Sequence, residues 1–473
     1  MADKAPNILL LMTDQHKASA TGYMGNRSVP TPFLDRLSKD GVVFEQAFAA
    51  SSICTPSRTS IFTGVHPLVH DVTCHQNRAP HNLLQLSEML QRHGYYTAVA
   101  GHYEPQRNLS RGWHEQVEFL ERGPLHKSLL AQVSGARPDV GWSAGGFGET
   151  AAEGNSALLT DRLIRMLEQI ENAPSPFFLH AAYDAPHPPY FAPPPYDSIV
   201  DPADIDLPPS FEHEGCPPWQ TAVRAQLGTE AASESDIRKL LSLYYGMIAY
   251  ADAEMQRLYE EMQNRGLLDN TWILFASDHG DYAGEKGMFA KTESLYECLL
   301  HVPLFIVPPA GTSCRRGAAV DELIDLVDLF PTILNIAGID TPGYAQGRDL
   351  CRWLEHSDVP DWRQEVFAQV GNYHGFLGTT FPTGMPAGGR HQGLVMSART
   401  KQFSYIADPD YGDEAYDLRQ DPWEMRNLLQ CEQDPPEVGE LRESLRNWER
   451  HCRQIRSELH VVSGDRGFVE GWE

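Results

Sequence analysis

A cysteine directly before a helix-start pattern is the arrangement in this sequence with the clearest chemical potential. Cys54 is followed by Thr55-Pro56-Ser57-Arg58, and proline is favoured in the first turn of a helix. The spacing predicts that Cys54 lies just before a helix N-terminus, where the helix dipole favours an anionic nucleophile. Arg58 follows one turn later and can reach back to an oxyanion. The alternative interpretation is a buried structural cysteine, the usual state of free cysteines.

This segment resembles a known family. Cys54-Thr55-Pro56-Ser57-Arg58 is similar to the Cys-x-Pro-Ser-Arg signature of the type I sulfatases, which belong to the alkaline phosphatase superfamily. The resemblance implies that Cys54 is oxidised to formylglycine by a formylglycine-generating enzyme during maturation. The segment from Tyr416 to Leu428 resembles a structural C-terminal signature of the family, so the resemblance covers the chain from Asn7 to Leu428.

Two Asp-containing pairs resemble the metal ligands of the family. Asp14-Gln15 follow a predicted strand, and Asp278-His279 follow another one later in the chain. Open α/β sheets place their sites at the carboxyl ends of strands, so both pairs are expected to join Cys54 at one edge of the sheet. Oxygen ligands with one imidazole favour a hard divalent cation, with Ca²⁺ preferred and Mg²⁺ or Mn²⁺ as alternatives. Each Asp alone would more often cap a turn or a helix.

Two further residues resemble the groups that bind sulfate and the leaving group. Lys291, at the end of Gly287-Met288-Phe289-Ala290-Lys291, is similar to the sulfate-binding lysine of the family. His187 lies in Ala185-Pro186-His187-Pro188-Pro189 and resembles the histidine that contacts the leaving-group oxygen. The alternatives are a solvated lysine and a structural histidine.

One segment departs from the family pattern. Many members carry Gly-Lys-Trp-His where this chain has Gly101-His102-Tyr103-Glu104. Protonated His102 can stand in for the lysine, whereas Glu104 adds a carboxylate beside the expected anion. His75 is a further candidate for the lining of the substrate pocket. Because phosphonate monoester hydrolases and related phosphodiesterases also depart here, the substrate class stays more open than the fold.

The resemblance implies a specific mechanism. Hydrated formylglycine made from Cys54 is itself expected to be a metal ligand through one hydroxyl. That hydroxyl attacks the sulfur of a sulfate ester in line, while the metal lowers its pKa. Arg58 and Lys291 stabilise charge on the sulfate oxygens, and His187 protonates the departing alcohol. A sulfated intermediate remains, and its second hydroxyl then passes a proton to His102 as sulfate is released.

The elements that must position these residues alternate between strands and helices. Short apolar runs such as Asn7–Met12, Phe177–Ala182 and Trp272–Ala276 predict buried strands, separated by helical patterns such as Asp236–Arg265. This alternation predicts an α/β fold with a large, mixed and mostly parallel sheet between helices, and the family resemblance implies that the sheet is similar to that of alkaline phosphatase. After residue 362 the pattern indicates a small antiparallel sheet with a closing helix, Glu437–Ser457. We therefore expect a catalytic domain over 1–362 and a C-terminal subdomain over 363–473.

Composition limits the partners of the protein. The 473 residues carry 38 Lys and Arg against 64 Asp and Glu, a net charge of −26, which disfavours nucleic acid and anionic membranes. Ile8–Met12 is too short for a signal peptide core or a membrane span, and the eight cysteines lack disulfide or zinc spacing. These features favour a cytoplasmic enzyme with a small substrate, which the family resemblance implies is sulfated. The oligomeric state stays open, with a homo-oligomer as one alternative.

Two other functions remain open. A phosphonate monoester hydrolase or phosphodiesterase would use the same nucleophile on the same scaffold. A catalytically inactive, metal-binding homologue is the second alternative, suggested by the missing lysine and by Glu104.

Overall fold

The larger part of the fold is one eight-stranded sheet between helices. A computed structural model describes residues 5–74, 77–103, 109–118, 150–173, 175–188, 190–212, 216–227, 229, 232–371, 393–430 and 435–461. The strands of the large sheet are β1 (Asn7–Thr13), β2 (Val42–Phe48), β3 (Tyr96–Gly101), β4 (Glu115–Glu118), β5 (Phe177–Tyr183), β6 (Thr271–Ser277), β7 (Leu304–Val307) and β8 (Ala318–Asp325). Their order is β4-β3-β5-β1-β6-β7-β2-β8.

The strand directions confirm the predicted α/β fold with a mixed, mostly parallel sheet. β1 runs parallel to both β5 and β6, and β3 runs parallel to β5. Only β7 is antiparallel to its two neighbours, β6 and β2. The carboxyl ends of β3, β5, β1 and β6 therefore lie side by side along one edge of the sheet.

Both faces of the central strand are buried. Ile8, Leu10 and Met12 pack into one hydrophobic cluster, whereas Leu9 and Leu11 pack into the other. When helices cover both faces of a strand, neither face is in contact with water, so polar and apolar residues do not alternate. This explains the continuous apolar run in the sequence.

Eleven α-helices are found in the described residues. They are α1 (Pro32–Leu37), α2 (Cys54–Thr63), α3 (Pro67–His70), α4 (Leu86–Arg92), α5 (Asn155–Asn172), α6 (Pro218–Leu227), α7 (Glu234–Asn264), α8 (Glu297–Leu300), α9 (Leu329–Ile336), α10 (Cys351–Glu355) and α11 (Pro436–Glu458). None of these helices is long and apolar enough to cross a membrane.

The helix that carries the candidate nucleophile begins one residue earlier than predicted. Cys54 is the first residue of α2 rather than the residue before it, and Ile53 is the N-cap. The helix ends at Thr63, and its C-cap residue, Gly64, has a left-handed φ of 71°. A Cβ at Gly64 would lie 2.5 Å from the Phe330 ring, so both the backbone conformation and the packing require glycine here.

The second sheet is small and antiparallel. Its strands are β9 (Val366–Gly371), β10 (Leu394–Arg399), β11 (Phe403–Ala407) and β12 (Glu414–Asp417), in the order β12-β11-β10-β9. Helix α11 packs against it through Val438, Leu441 and Leu445. The predicted sheet and closing helix are confirmed, whereas the domain boundary at 362/363 stays a prediction.

Two strands of the large sheet, β4 and β8, were not predicted, and they lie at its two edges. β8 lies at the edge beside β2, and its Ala-Ala-Val-Asp-Glu-Leu-Ile-Asp sequence alternates buried with exposed positions only in part. The acidic residues Asp321 and Glu322 break the apolar run that marks the central strands. They are compatible with a strand that has a neighbour on one side only.

Candidate active site

Four adjacent strands and one helix bring the candidate residues together. Asp14-Gln15 directly follow β1, Asp278-His279 directly follow β6, and Cys54 begins α2. Gln15 adopts a φ of 66°, and its backbone N–H donates to Asp278 Oδ1 over 3.1 Å. The chain therefore turns sharply at the end of β1 and ties the two predicted metal-ligand pairs to each other.

Asp14, Cys54, Asp278 and His279 form a fully buried cluster whose ligand atoms all lie within 4.8 Å of one another. Cys54 Sγ is 3.1 Å from His279 Nε2 and 3.5 Å from Asp14 Oδ1. His279 Nδ1 donates to the Gly280 carbonyl over 2.8 Å, which directs the Nε2 lone pair to the cluster. The structure thus assembles four of the five predicted metal-binding side chains around one point.

The amide of Gln15, the fifth of these side chains, is oriented by a buried carboxyl group. Gln15 Nε2 donates to Asp281 Oδ2 over 2.6 Å, and Tyr190 donates to the same oxygen over 2.6 Å. Burial raises the pKa of Asp281 to about 6. Sequence reasoning missed Asp281 and Tyr190, although Asp281 lies only three residues after Asp278.

Arg58 holds the two carboxylates in place. Its Nε donates to Asp278 Oδ2 over 2.7 Å, and its Nη2 donates to Asp14 Oδ2 over 3.0 Å. Its Nη1 donates to the carbonyl of His102. These contacts direct the guanidinium to protein oxygens, so its predicted contact with a substrate oxyanion stays a prediction.

Lys291 lies against the candidate nucleophile. Its Nζ is 2.9 Å from Cys54 Sγ, 2.9 Å from Gln15 Oε1 and 4.0 Å from Asp14 Oδ1. Burial opposes the charge of Lys291, but Cys54, Asp14 and Asp278 outweigh it and raise the pKa. A charged ammonium therefore lies within reach of any anion bound at position 54.

A second group of polar residues lies on the other side of Asp14. His102 follows β3, with its Nε2 3.6 Å from Asp14 Oδ2, and Asp184 follows β5. The ligand atoms of Asp14, His102 and Asp184 lie within 4.8 Å of one another. Asp184 was not among the predicted residues, although it directly follows a buried strand, as Asp14 and Asp278 do.

His187 lies next to this second group. Its ring centroid is 6.5 Å from that of His102, and its Nδ1 donates to the Pro188 carbonyl over 2.6 Å. A cavity of about 50 Å³ lies beside it, lined in part by Asp184, Phe191 and Tyr250. The structure therefore places the predicted leaving-group histidine beside an open space.

Two predicted site residues, His75 and Glu104, lie outside the described residues. Their roles in lining the substrate pocket stay predictions.

Comparison with known protein families points to the same family as the residues of the site. The family described as Sulfatase matches residues 6–339. The chain belongs to the sulfatase family. A second family, described as N-sulphoglucosamine sulphohydrolase, C-terminal, matches residues 284–451 of this sulfatase. The predicted family and the predicted class of enzyme, a sulfuric ester hydrolase, are confirmed.

Relatives of the sulfatase extend over almost its whole length. An arylsulfatase of Clostridium perfringens is 26% identical over 480 residues, covering 93% of each chain. Arylsulfatase K of Gallus gallus is 26% identical over 456 residues, covering 89% of this chain and 79% of the relative. Among solved structures, a phosphonate monoester hydrolase of Silicibacter pomeroyi is 24% identical, with a TM-score of 0.77 and 97% of each chain covered. This last similarity shows the fold alone.

Proposed function

We propose that this sulfatase hydrolyses a small sulfate ester to an alcohol and inorganic sulfate, with formylglycine made from Cys54 as its nucleophile. The observation that carries the proposal is the position of Cys54. Its Sγ lies at the first turn of α2, 2.9 Å from Lys291 Nζ, 3.1 Å from His279 Nε2 and 3.5 Å from Asp14 Oδ1. A formylglycine-generating enzyme would be the maturation partner.

The buried cluster fits one divalent cation. Asp14 and Asp278 are both fully buried. Buried carboxylates lose the solvation that water provides, so they need a nearby positive charge to compensate. With the Gln15 amide oxygen and His279 Nε2, they offer the oxygen-rich set that Ca²⁺ prefers and that also suits Mg²⁺ or Mn²⁺. When bound there, the cation would lower the pKa of a hydroxyl on residue 54 and offset the charge of the sulfate group.

The residues of this chain then bind and orient the ester. Lys291 contributes a buried positive charge beside position 54, where sulfate oxygens gain charge as the ester breaks. Arg58 fixes both metal-ligating carboxylates through the 2.7 Å and 3.0 Å contacts described above. Since Nδ1 of His187 donates its proton to the Pro188 carbonyl, Nε2 is the nitrogen that can give a proton to the departing alcohol, and it carries that proton only in the imidazolium form. Burial and Lys291 lower the pKa of His187, so the imidazolium would rely on the negative charge of the bound sulfate ester. The cavity beside His187 would receive part of that alcohol.

The test combines the chemistry of residue 54 with a comparison of substrates. Mass spectrometry of the Cys54 peptide from the native host should show the aldehyde, and kcat/KM should be higher for a nitrophenyl sulfate than for the matching nitrophenyl phosphodiester. An unmodified thiol would instead favour an inactive, metal-binding homologue. A preference for the phosphodiester would favour the phosphonate monoester hydrolase or phosphodiesterase function.

A further inference from the structure

A cavity of about 700 Å³ lies between the C-terminal helix α11 and the β8 edge of the large sheet. Its walls come from the segment after α2, the end of β8, the loop after α9, the start of β9 and one face of α11. β8 is three strands away from β6 in the sheet, which is roughly 14 Å at about 4.8 Å per strand. The cavity is therefore separate from the active site, and no described residue of that site lines it.

Three neutral polar groups in the walls have no hydrogen-bond partner in the part of the chain that the structure describes. They are Nδ1 of His66, the hydroxyl of Tyr344 and Nε1 of Trp448. His66 is 5% exposed and Trp448 is 8% exposed, so both side chains are more than nine-tenths buried. A buried polar group without a partner is costly, and three such groups around one cavity are explained if a polar molecule binds there.

The ring of His66 is oriented by its other nitrogen. Nε2 lies 2.8 Å from Asp325 Oδ2, and because a carboxylate can only accept, Nε2 carries the proton of the neutral ring. Nδ1 is then an acceptor, whereas Trp448 Nε1 can only donate and the Tyr344 hydroxyl can do both. Together the three groups complement hydroxyl groups of a ligand, which both donate and accept.

The charges around the cavity do not favour an anion. Two arginines stand against three carboxylates in the walls: Arg348, Arg363, Asp325, Glu365 and Glu458. Arg363 already donates through both terminal nitrogens to Asp328, and Glu365 accepts from the Ser444 hydroxyl. Since no surplus of positive charge faces the cavity, a neutral molecule is favoured over a sulfate or phosphate group.

We propose that this cavity is a second ligand site and that it binds a neutral saccharide. A sugar ring has several adjacent hydroxyl groups for the three unpartnered polar groups, and the rings of Tyr344 and Phe367 provide apolar surface for its C–H groups. The cavity volume of about 700 Å³ lies within the range of about 300–1,000 Å³ that is typical of small-molecule pockets. The site is independent of the chemistry proposed for residue 54.

The experiment measures saccharide binding to the full-length Cys54→Ala variant, which lacks the proposed nucleophile. Glucose, galactose and N-acetylglucosamine are titrated separately and followed by saturation-transfer difference NMR, and inorganic sulfate is the anionic probe. At least one sugar should bind saturably. Adding Tyr344→Phe or Trp448→Phe, each of which removes one polar group, should raise its Kd about three- to tenfold. Tyr411→Phe, which alters an exposed tyrosine outside the cavity, is the control.

The proposal is overturned if none of the three sugars binds, or if Tyr344→Phe and Trp448→Phe both bind them as tightly as the control does. Tighter binding of sulfate than of any sugar, lost in the same two variants, would assign an anion site instead. Circular dichroism identifies a loss of folding in Trp448→Phe, and Tyr344→Phe removes only one oxygen. With Cys54 intact, both variants should keep the wild-type kcat for nitrophenyl sulfate, so this site and the proposed function can fail independently.

Discussion

Two buried polar clusters in this protein satisfy their charges in different ways. At the active site, the carboxylates of Asp14 and Asp278 lie close together, and Arg58 is the only guanidinium bonded to them among the described residues. Between the two sheets lies a second cluster, which we call the junction cluster: Lys286, Tyr296, Glu414, Tyr416 and Glu424. All five of its side chains are buried.

Most polar groups of the junction cluster have partners within the protein. Lys286 Nζ donates to the Glu424 carbonyl over 2.6 Å and lies 4.2 Å from the centroid of the Tyr296 ring. Tyr296 and Tyr416 both donate to Glu414 Oε2, the former over 2.7 Å. Lys286, Tyr296, Tyr416 and Glu414 therefore have neutral or oppositely charged partners within the fold. Glu424 accepts from the Glu297 backbone N–H through Oε2, but its Oε1 has no hydrogen-bond partner among the described residues.

The difference separates function from stability. In the proposed function, the active site keeps like charges together to bind a cation and an anionic substrate, at a cost in stability. The junction cluster pairs its groups to join the small sheet to the large one. Substitutions in the first cluster should therefore reduce turnover more than stability, and substitutions in the second should do the opposite.

The largest expected effect is that of Cys54→Ala. Loss of the nucleophile should lower kcat on the order of 10⁴–10⁶-fold while the unfolding midpoint changes little. Cys54→Ser should retain at most a slow or single turnover, because serine cannot form the aldehyde hydrate. Turnover of nitrophenyl sulfate is the measurement, with Cys314→Ala as the control, and full activity in either Cys54 variant would disprove the assignment.

His187→Gln should produce the next largest effect, and the effect should depend on the leaving group. An alkyl sulfate needs a proton on its departing oxygen, so kcat should fall about 10²–10⁴-fold. A nitrophenolate leaves without one, so nitrophenyl sulfate should be affected much less. The two substrates are compared in the variant and in His356→Gln, an exposed control. Equal losses on both substrates would contradict the role of general acid.

Lys291→Met should lower kcat for nitrophenyl sulfate roughly 10²–10³-fold, because it removes a buried charge beside the bound anion. Thermal unfolding of the variant should occur modestly below the wild-type temperature, since Cys54, Asp14 and Asp278 outweigh the cost of burial and raise the pKa of this ammonium. Lys401→Met, which alters a more exposed ammonium, is the control. A large loss of stability with unchanged kcat would place Lys291 with the junction cluster instead.

The smallest expected effect is a pH dependence of stability in the junction cluster. Burial raises the pKa of Glu424 to about 8, against the influence of Lys286 and Arg399. The folded state thus retains a proton that the unfolded chain loses near pH 4.3. The stabilisation that protonated Glu424 contributes is complete below about pH 4.3, and it is lost as the pH rises through about 8.

Glu424→Gln tests this sign directly. From pH 5 to pH 8 the wild type should lose at least about 1 kcal/mol more unfolding free energy than the variant, which is the equivalent of one pKa unit. Denaturant unfolding at several pH values measures the difference, with the exposed Glu440→Gln as control. If the unfolding free energies of wild type and Glu424→Gln changed in parallel with pH, Glu424 would be ionised in the folded protein. The kcat of Glu424→Gln at pH 7 should equal that of the wild type.

Local patterns predicted the elements around the active site with errors of one to three residues. The central strands appear as unbroken apolar runs because helices cover both of their faces, and α7 is marked by the Ser233–Asp236 capping box at its start. Local patterns did not predict the edge strand β8 or the antiparallel direction of β7. Strand direction depends on which strands pair, and no local pattern records that.

The sequence by itself predicted the candidate nucleophile and the two metal-ligand pairs, through their resemblance to the family. It also predicted the strands that carry these pairs, because the spacing of apolar residues encodes helix starts and strand ends. Only the tertiary structure decided that Asp184 joins His102 at Asp14, and that Arg58 bonds to carboxylates and Gln15 to Asp281. These contacts form between strand ends and loops far apart in the chain. They depend on the order of strands in the sheet, which long-range packing determines.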